Sequence, residues 1–278
     1  MLGLLEKALS EGYAVPSFCA WNAETMAAVL RAASNLEAPV ILMNGPGEFP
    51  LLSPADMSSI ARSLYPETSL PVALHLDHGD SLSMVRDCLE AGYTSVMLDF
   101  SSKTFEENAS ALRTVVGMAH PLGVTVEGEI GSVGKIDDSS LEGNHSSTLT
   151  DPQEAREYVR ITGVDTLALS IGNAHGNYTE LPQLRFDILE EVFDLVNIPL
   201  VLHGGSGTPD DDIKKAISLG IAKINVASEL VRAVRESLMG QWKEGRNLWA
   251  PAAEVEAMKN MESVATKWII KTGAAGQA

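Results

Sequence analysis

The feature that most constrains this 278-residue chain is the alternation of short apolar runs with longer helix-forming segments along its length. Runs such as Val40-Ile41-Leu42-Met43, Thr166-Leu167-Ala168-Leu169-Ser170-Ile171 and Leu200-Val201-Leu202 are apolar on both faces. A half-wet antiparallel strand would alternate apolar with polar. A strand apolar on both faces belongs in a parallel sheet covered by helices. Strands are expected at Ala14–Phe18, Pro39–Met43, Pro71–Asp77, Thr94–Asp99, Val124–Glu129, Asp165–Ile171, Ile198–His203 and Ile221–Val226. Helix signals lie between them: Asn22, Ser53, Asp151 and Asp187 as N-caps, Pro54 at a first helical position, and Gly12, Gly92 and Gly220 as stops. Eight strands in this length predict an α/β fold, a (β/α)8 TIM barrel with a parallel sheet. Residues 1–278 are read as one domain with an N-terminal helix, Leu2–Glu11, and a C-terminal helical extension, Ser228–Lys243 and Ala252–Lys271. An open doubly wound sheet is the alternative.

The formal charge of −17 argues against a nucleic-acid partner, because phosphate neutralisation needs clustered Lys and Arg. It leaves room for a phosphorylated small molecule, since backbone amides and local cations can outweigh the mean field. No run reaches the 18 to 20 apolar residues of a membrane span, so no membrane association is expected. The two cysteines, Cys19 and Cys88, have no motif spacing, and Met1–Lys7 lacks the pattern of a signal peptide. A cytoplasmic location is the expectation.

In such a barrel, chemistry sits at the C-terminal strand ends. Here those ends are polar almost without exception: Asn44-Gly45, Asp77-His78, Asp99, Glu129, Asn173-Ala174-His175-Gly176, His203-Gly204-Gly205-Ser206-Gly207 and Asn225-Val226-Ala227-Ser228. One histidine at a loop is most simply hydrogen-bonded. His78, His175 and His203 at three equivalent strand ends point instead to a Lewis-acid zinc site. His75 lies inside its strand and reads as an interior packed histidine; His120 and His145 read as non-ligands. Asp77 is placed for proton transfer, or for orienting an imidazole. Asp99 and Glu129 fit a supporting or auxiliary-cation role. The glycine-rich turn Gly204–Thr208 and the turn Asn225–Ser228 each run from a strand into a helix, the arrangement that receives an anion. Lys223, inside the last strand, keeps a Schiff-base mechanism open, but that mechanism would leave the three histidines unexplained. Gly128–Thr150 reads as one long functional loop.

Taken together, Leu76-Asp77-His78, Glu129-Ile130-Gly131 with Gly134, Ala174-His175-Gly176, Leu202-His203-Gly204-Gly205-Ser206-Gly207 and Ile224-Asn225-Val226-Ala227-Ser228 resemble the zinc-dependent class II aldolases of the fructose-bisphosphate and tagatose-bisphosphate branch. The resemblance runs from Tyr13 to about Lys271. It implies reversible cleavage of a phosphorylated ketose into dihydroxyacetone phosphate and an aldehyde through a metal-stabilised enediolate. It implies one zinc ion (Zn2+) on His78, His175 and His203, with Asp99 and Glu129 as supporting or auxiliary-metal residues. Proton transfer is implied for Asp77, and for Asp137 in the place of a loop glutamate. Gly176, Gly204, Ser206, Asn225 and Ser228 would bind the substrate phosphate, with a monovalent cation, Na+ or K+, nearby. A homodimer or homotetramer is implied as well.

The chain also departs from its relatives. Phe18-Cys19 stands where Phe-Asn is usual, Asn44 where a small residue is common, and Thr179 where some members have Lys. The long loop reads Gly134-Lys135-Ile136-Asp137-Asp138, and Arg232 is the nearest candidate for a distal group. Cys19, Asn44 and Arg232 are therefore the expected aldehyde-side residues. Three alternatives follow: an aldolase of a different ketose 1-phosphate (a sulfo-, deoxy- or keto-sugar derivative), a metal-dependent sugar-phosphate isomerase or epimerase, and a non-catalytic relative that keeps the metal site.

Overall fold

The computed structural model describes residues 1–65, 70–137, 146–176, 178 and 180–278. Asp138, His145 and Thr179, named above, lie outside the described residues.

Eight parallel strands close into a barrel: β1 (Val15–Cys19), β2 (Val40–Asn44), β3 (Val72–Gly79), β4 (Ser95–Leu98), β5 (Thr125–Ile130), β6 (Thr166–Leu169), β7 (Leu200–Leu202) and β8 (Ile221–Val226). The pairing of β1 with β8, from Val15 opposite Lys223 to Phe18 opposite Val226, closes the ring and removes the open-sheet alternative. Around it lie α1 (Leu2–Glu11), α2 (Ala23–Asn35), α3 (Pro54–Leu64), α4 (Leu82–Ala91), α5 (Phe105–Ala119), α6 (Pro152–Thr162), α7 (Phe186–Val196), α8 (Asp210–Ser218), α9 (Ser228–Lys243) and α10 (Ala250–Lys271). No helix among the described residues is long and apolar enough to cross a membrane.

Local chemistry sets the helix starts. Asn22, Ser53 and Asp151 accept hydrogen bonds from the backbone of their first turns, as expected of caps. Asp187 does not cap α7. The helix begins two residues earlier, at Phe186, Arg185 stands at the cap position, and its guanidinium pairs with Asp187. At the other end of the chain, α10 buries Ala253, Ala257, Met261, Ala265, Trp268 and Ile269, spaced for one helical face, and packs on α2 and α9.

Two departures from regular strand geometry shape the barrel mouth. The β3–β4 register slips between Leu76 and Gly79, and His78 sits at φ +45° in the left-handed region. A regular strand would send Asp77 and His78 to opposite faces; the bulge turns both toward the mouth. The second departure corrects an expectation. The strand expected over Asp165–Ile171 leaves the barrel after Leu169. Gly172, at φ +98°, turns the chain. The Asn173 side chain then ties the turn down, accepting from Ile171 N and donating to the Leu169 and His203 carbonyls. Ala174–His175 pairs with Gly134–Lys135 as a separate two-stranded ladder. The Gly128–Thr150 stretch is thus not a single loop. Its start belongs to β5, Gly134–Lys135 joins this ladder, and Ser132 bridges Thr148.

Candidate active site and metal centre

The period of two along a strand places alternate residues on the barrel interior. His75 and Asp77 on β3, Glu127 and Glu129 on β5, and Lys223 and Asn225 on β8 are such pairs, and all six are buried. They form two layers. His75, Glu127 and Lys223 lie deeper, while Asp77, Glu129 and Asn225 lie toward the mouth with the three histidines.

The mouth histidines converge. The His78 ring centroid lies 5.0 Å from that of His175 and 4.7 Å from that of His203, with 5.8 Å between His175 and His203. One ring nitrogen from each of the three lies within 4.8 Å of the other two. Nδ1 of His78 faces Asp99 Oδ2 at 2.7 Å, and Nε2 of His203 faces Glu127 Oε1 at 2.9 Å. A carboxylate accepts from each of these ring nitrogens, which leaves Nε2 of His78 and Nδ1 of His203 as the atoms turned toward the centre. Those two atoms face each other at 2.9 Å. They share one proton across that contact, and its displacement by a divalent cation would leave two lone pairs aimed at one point, beside a third imidazole and with positions still open. Carboxylates behind metal-bound imidazoles are the usual second layer of such a site. The same residues allow a neighbouring set, since His78, Asp99 and Glu129 also bring ligand atoms within 4.8 Å of one another.

Charge within the site is strongly redistributed. Burial opposes a charged His78, yet Asp77 and the Asp99 hydrogen bond hold its imidazole well above the ordinary range. Burial pushes His203 down to about 4. Burial would raise the Asp77 carboxyl, but His78 foremost, with His75, His203 and Lys223 close by, holds it well below the carboxylate range. Glu127, under the same penalty, is held at about 2 by Lys223 and His75. Glu129 behaves in the opposite way: burial and the Asp99 charge lift it to about 8.

Asp77 is fixed through one oxygen. Asn225 Nδ2 donates to Asp77 Oδ1 at 2.9 Å, while the buried Oδ2 has no hydrogen-bond partner among the described residues. Asn225, one of the residues expected at the phosphate, thus also orients this carboxylate. The other residues expected at the phosphate lie on turns at the same mouth. Gly205 N donates to the Asn225 carbonyl at 3.0 Å, and the Glu229 amide donates to Ser206 Oγ at 3.2 Å, which joins the Gly204–Thr208 turn to the start of α9 at Ser228. Gly204 has φ +62°, and a Cβ there would run into the Ala174 carbonyl oxygen. Gly176 has φ +107°, and a Cβ there would meet Asp137 Oδ1 at 2.7 Å, so the Asp137 carboxylate lies against that backbone.

On the β1–β2 side, Cys19 Sγ approaches Glu48 Oε1 at 3.7 Å, and Gly45 N donates to Glu48 Oε2 at 2.8 Å. Tyr93 donates to Asn44 Oδ1 at 2.5 Å. Arg232 is exposed on α9, one turn beyond Ser228. Lys223 Nζ is enclosed with Glu127 and His75, so it is paired rather than presented as a nucleophile.

Sequence reasoning missed Glu127, Glu48, Tyr93 and Glu229. Glu127 carried a legible signal, because a carboxylate two residues before Glu129 on an apolar strand must face the same interior. Glu48 and Glu229 carried none, because their partners are distant in the chain.

The sequence profile of the class-II fructose-bisphosphate aldolases matches residues 1–277. Among solved structures, the YdjI aldolase from Escherichia coli K12 is 36% identical, with a TM-score of 0.86 over 99% of this chain and 97% of that one. A Coccidioides immitis protein assigned as a fructose-1,6-biphosphate aldolase is 28% identical, with a TM-score of 0.88 over 99% and 96% of the two chains. The fructose-bisphosphate aldolase of Campylobacter jejuni shares the fold at 22% identity and a TM-score of 0.83, over 99% and 95% of the two chains.

Proposed function

The chain belongs to the class-II fructose-bisphosphate aldolase family, which makes it a carbon–carbon lyase, and from that premise we propose that it is a zinc-dependent aldolase acting on a phosphorylated ketose. The products are dihydroxyacetone phosphate and an aldehyde, and the reaction is reversible. The observation that carries this reading is the meeting of His78, His175 and His203 beside a carboxylate, Asp77, that is fixed through one oxygen and open at the other.

His78, His175 and His203 would hold the ion, with Asp99 and Glu129 supporting them. Bound there, zinc supplies Lewis-acid polarisation of the ketone carbonyl. In the cleavage direction the C3–C4 bond breaks and its electron pair stays with the three-carbon ketone fragment. Asp77 Oδ2 takes the proton of the C4 hydroxyl, and the C4 carbon becomes the aldehyde. Asp137 is the proposed donor of the proton that C3 then requires. Gly176, Gly204, Ser206, Asn225 and Ser228 are assigned to the phosphate, the last at a helix N-terminus where anions are favoured. A monovalent cation, Na+ or K+, is assigned near that phosphate.

Cys19, Asn44 and Arg232 are assigned to the aldehyde side. There, Glu48 beside Cys19 favours a second reading, in which the far end of the ketose 1-phosphate carries a group other than phosphate. We further assign the whole of 1–278 to one domain, a cytoplasmic location on the grounds of cysteine usage, and a homodimer or homotetramer. The exposed Leu248 and Trp249, near Trp242 and Met239 in the chain, support that assembly.

Dialysis against a chelator should abolish cleavage, and zinc or cobalt should restore it. A borohydride-trappable intermediate with activity indifferent to chelation would refute the reading. Dihydroxyacetone phosphate offered with a panel of neutral, carboxylated and phosphorylated aldehydes decides between the two substrate classes.

A further inference from the structure

Lys223 is fully buried inside the barrel, where the usual occupants are branched apolar side chains. The proton transfers described above do not use it. Stability alone is a poor reason for its presence, because a buried ion pair is often no more stabilising than an apolar replacement of the same volume. Its surroundings are specific. Nζ lies 3.0 Å from Oε1 of Glu127, 3.0 Å from Oε2 of Glu127 and 3.4 Å from Nε2 of His75. An ammonium has three protons and no acceptor, and the atoms around this one are all acceptors.

That match propagates upward by two routes. Nε2 of His75 accepts, so its Nδ1 carries the proton and donates to Ser95 Oγ at 2.8 Å. Its ring is thereby locked below Asp77, with Nε2 3.7 Å from Asp77 Oδ1. Glu127, held by Lys223, accepts from Nε2 of His203, which leaves the lone pair of His203 on Nδ1. Nδ1 is the atom that faces His78. Without the ammonium, Glu127 would be a buried carboxylate with one fewer donor, free to turn or to take up a proton, and the His203 tautomer would lose its anchor.

We propose that Lys223 is a positioning residue for the metal centre: through Glu127 it fixes His203 in the orientation and tautomer that offers Nδ1 as a ligand, and through His75 it sets the floor beneath Asp77. The inference rests on the reading of His78, His175 and His203 as metal ligands.

The test uses the full-length protein, K223M, E127Q and the double variant K223M/E127Q. Zinc affinity is measured by competition with a chromophoric chelator. The His203 tautomer is read in the zinc-loaded proteins by long-range proton–nitrogen correlation, and folding is followed by denaturant unfolding. Loss of a residue behind a metal ligand costs about 10–100-fold in metal affinity. K223M should fall in that range and show a mixed His203 tautomer. In the double variant the amide oxygen that E127Q introduces can still accept from His203, with no unpaired charge, so most of the affinity should return.

If the parent protein binds no zinc at the three histidines, the metal reading itself fails. If the parent binds zinc and K223M binds it equally tightly with the same tautomer, this inference alone is overturned, whatever happens to stability. Should K223M not fold, the double variant decides. Zinc binding within tenfold of the parent supports the role, and a double variant that fails to fold or to bind zinc overturns it.

Discussion

Removal of the Glu229 carboxylate should loosen the turn assigned to the phosphate, and the structure supplies the magnitude. Glu229 lies in the first turn of α9 and accepts from Gly207 N at 2.7 Å through Oε1 and from Trp268 Nε1 at 2.9 Å through Oε2. It ties the Gly204–Thr208 turn to α10. In E229A the exposed Gly207 amide can turn to water, at a cost of about 1 kcal/mol for the lost bond. Trp268 is only 2% exposed, so its indole N–H would be left unsatisfied, at about 1–3 kcal/mol. The total is about 2–4 kcal/mol, equivalent to a fall of roughly 5–10 °C in melting temperature for a chain of this size. W268F deletes the indole donor while keeping much of the packing, and should cost about 1 kcal/mol because the half-exposed carboxylate is rehydrated. The double variant has no orphaned donor. It should therefore be more stable than the sum of the two single effects predicts, by about 1–2 kcal/mol. Urea unfolding of the four proteins measures this coupling. E229A should also raise KM for the ketose phosphate about tenfold, equivalent to about 1.4 kcal/mol of lost binding, with a smaller change in kcat. Additivity within about 0.5 kcal/mol, together with an unchanged KM, would refute the brace.

Three further outcomes follow from the site. D77N should lower kcat by about 10²–10⁴-fold while zinc content, read by elemental analysis, stays at the parent level; a parallel loss of metal would make Asp77 a ligand instead. G204A places a side chain at φ +62° and against the Ala174 carbonyl, so it should lose more than about 2 kcal/mol of stability and weaken competitive inhibition by inorganic phosphate, whereas parent-like values in both assays would remove the close approach. Glu127 titrates at about 2 in the folded protein and near 4.5 when unfolded, so its contribution, on the order of 3 kcal/mol, is present above pH 4.5 and is lost as the pH falls through about 2. E127Q should flatten that segment of the acid stability profile, and an unchanged slope in denaturant titrations would show that other groups produce it.

The sequence was legible where the information is local. Apolar runs covered on both faces announced a parallel sheet, and the caps at Asn22, Ser53 and Asp151 are formed by their own side chains. The convergence of His78 and His203 followed from topology, since equivalent strand ends of a closed barrel face one mouth. Asp77 was harder to place. Its inward direction follows the strand period, but its place beside His78 on one side depends on the β3 bulge and on His78 at φ +45°, which the letters Asp-His do not encode. The route to His175 is not legible in the sequence, because Ala168–Ile171 looks equally apolar on either side of the point where Asn173 draws the chain away from the barrel.

By itself, then, the chain determined its alternating elements, its parallel sheet and the polar residues stationed at the strand ends, because those follow from side-chain period and local hydrogen bonding. Only the tertiary structure decided which nitrogen of His78 and His203 is offered to a ligand, which oxygen of Asp77 stays open, and that Lys223 answers Glu127 rather than a substrate. Each of those outcomes depends on contacts between residues far apart in sequence, from 21 positions for His78 and Asp99 to 148 for Asp77 and Asn225. The direction of a hydrogen bond in a buried site is set by what stands opposite, and barrel closure is what brings those partners together.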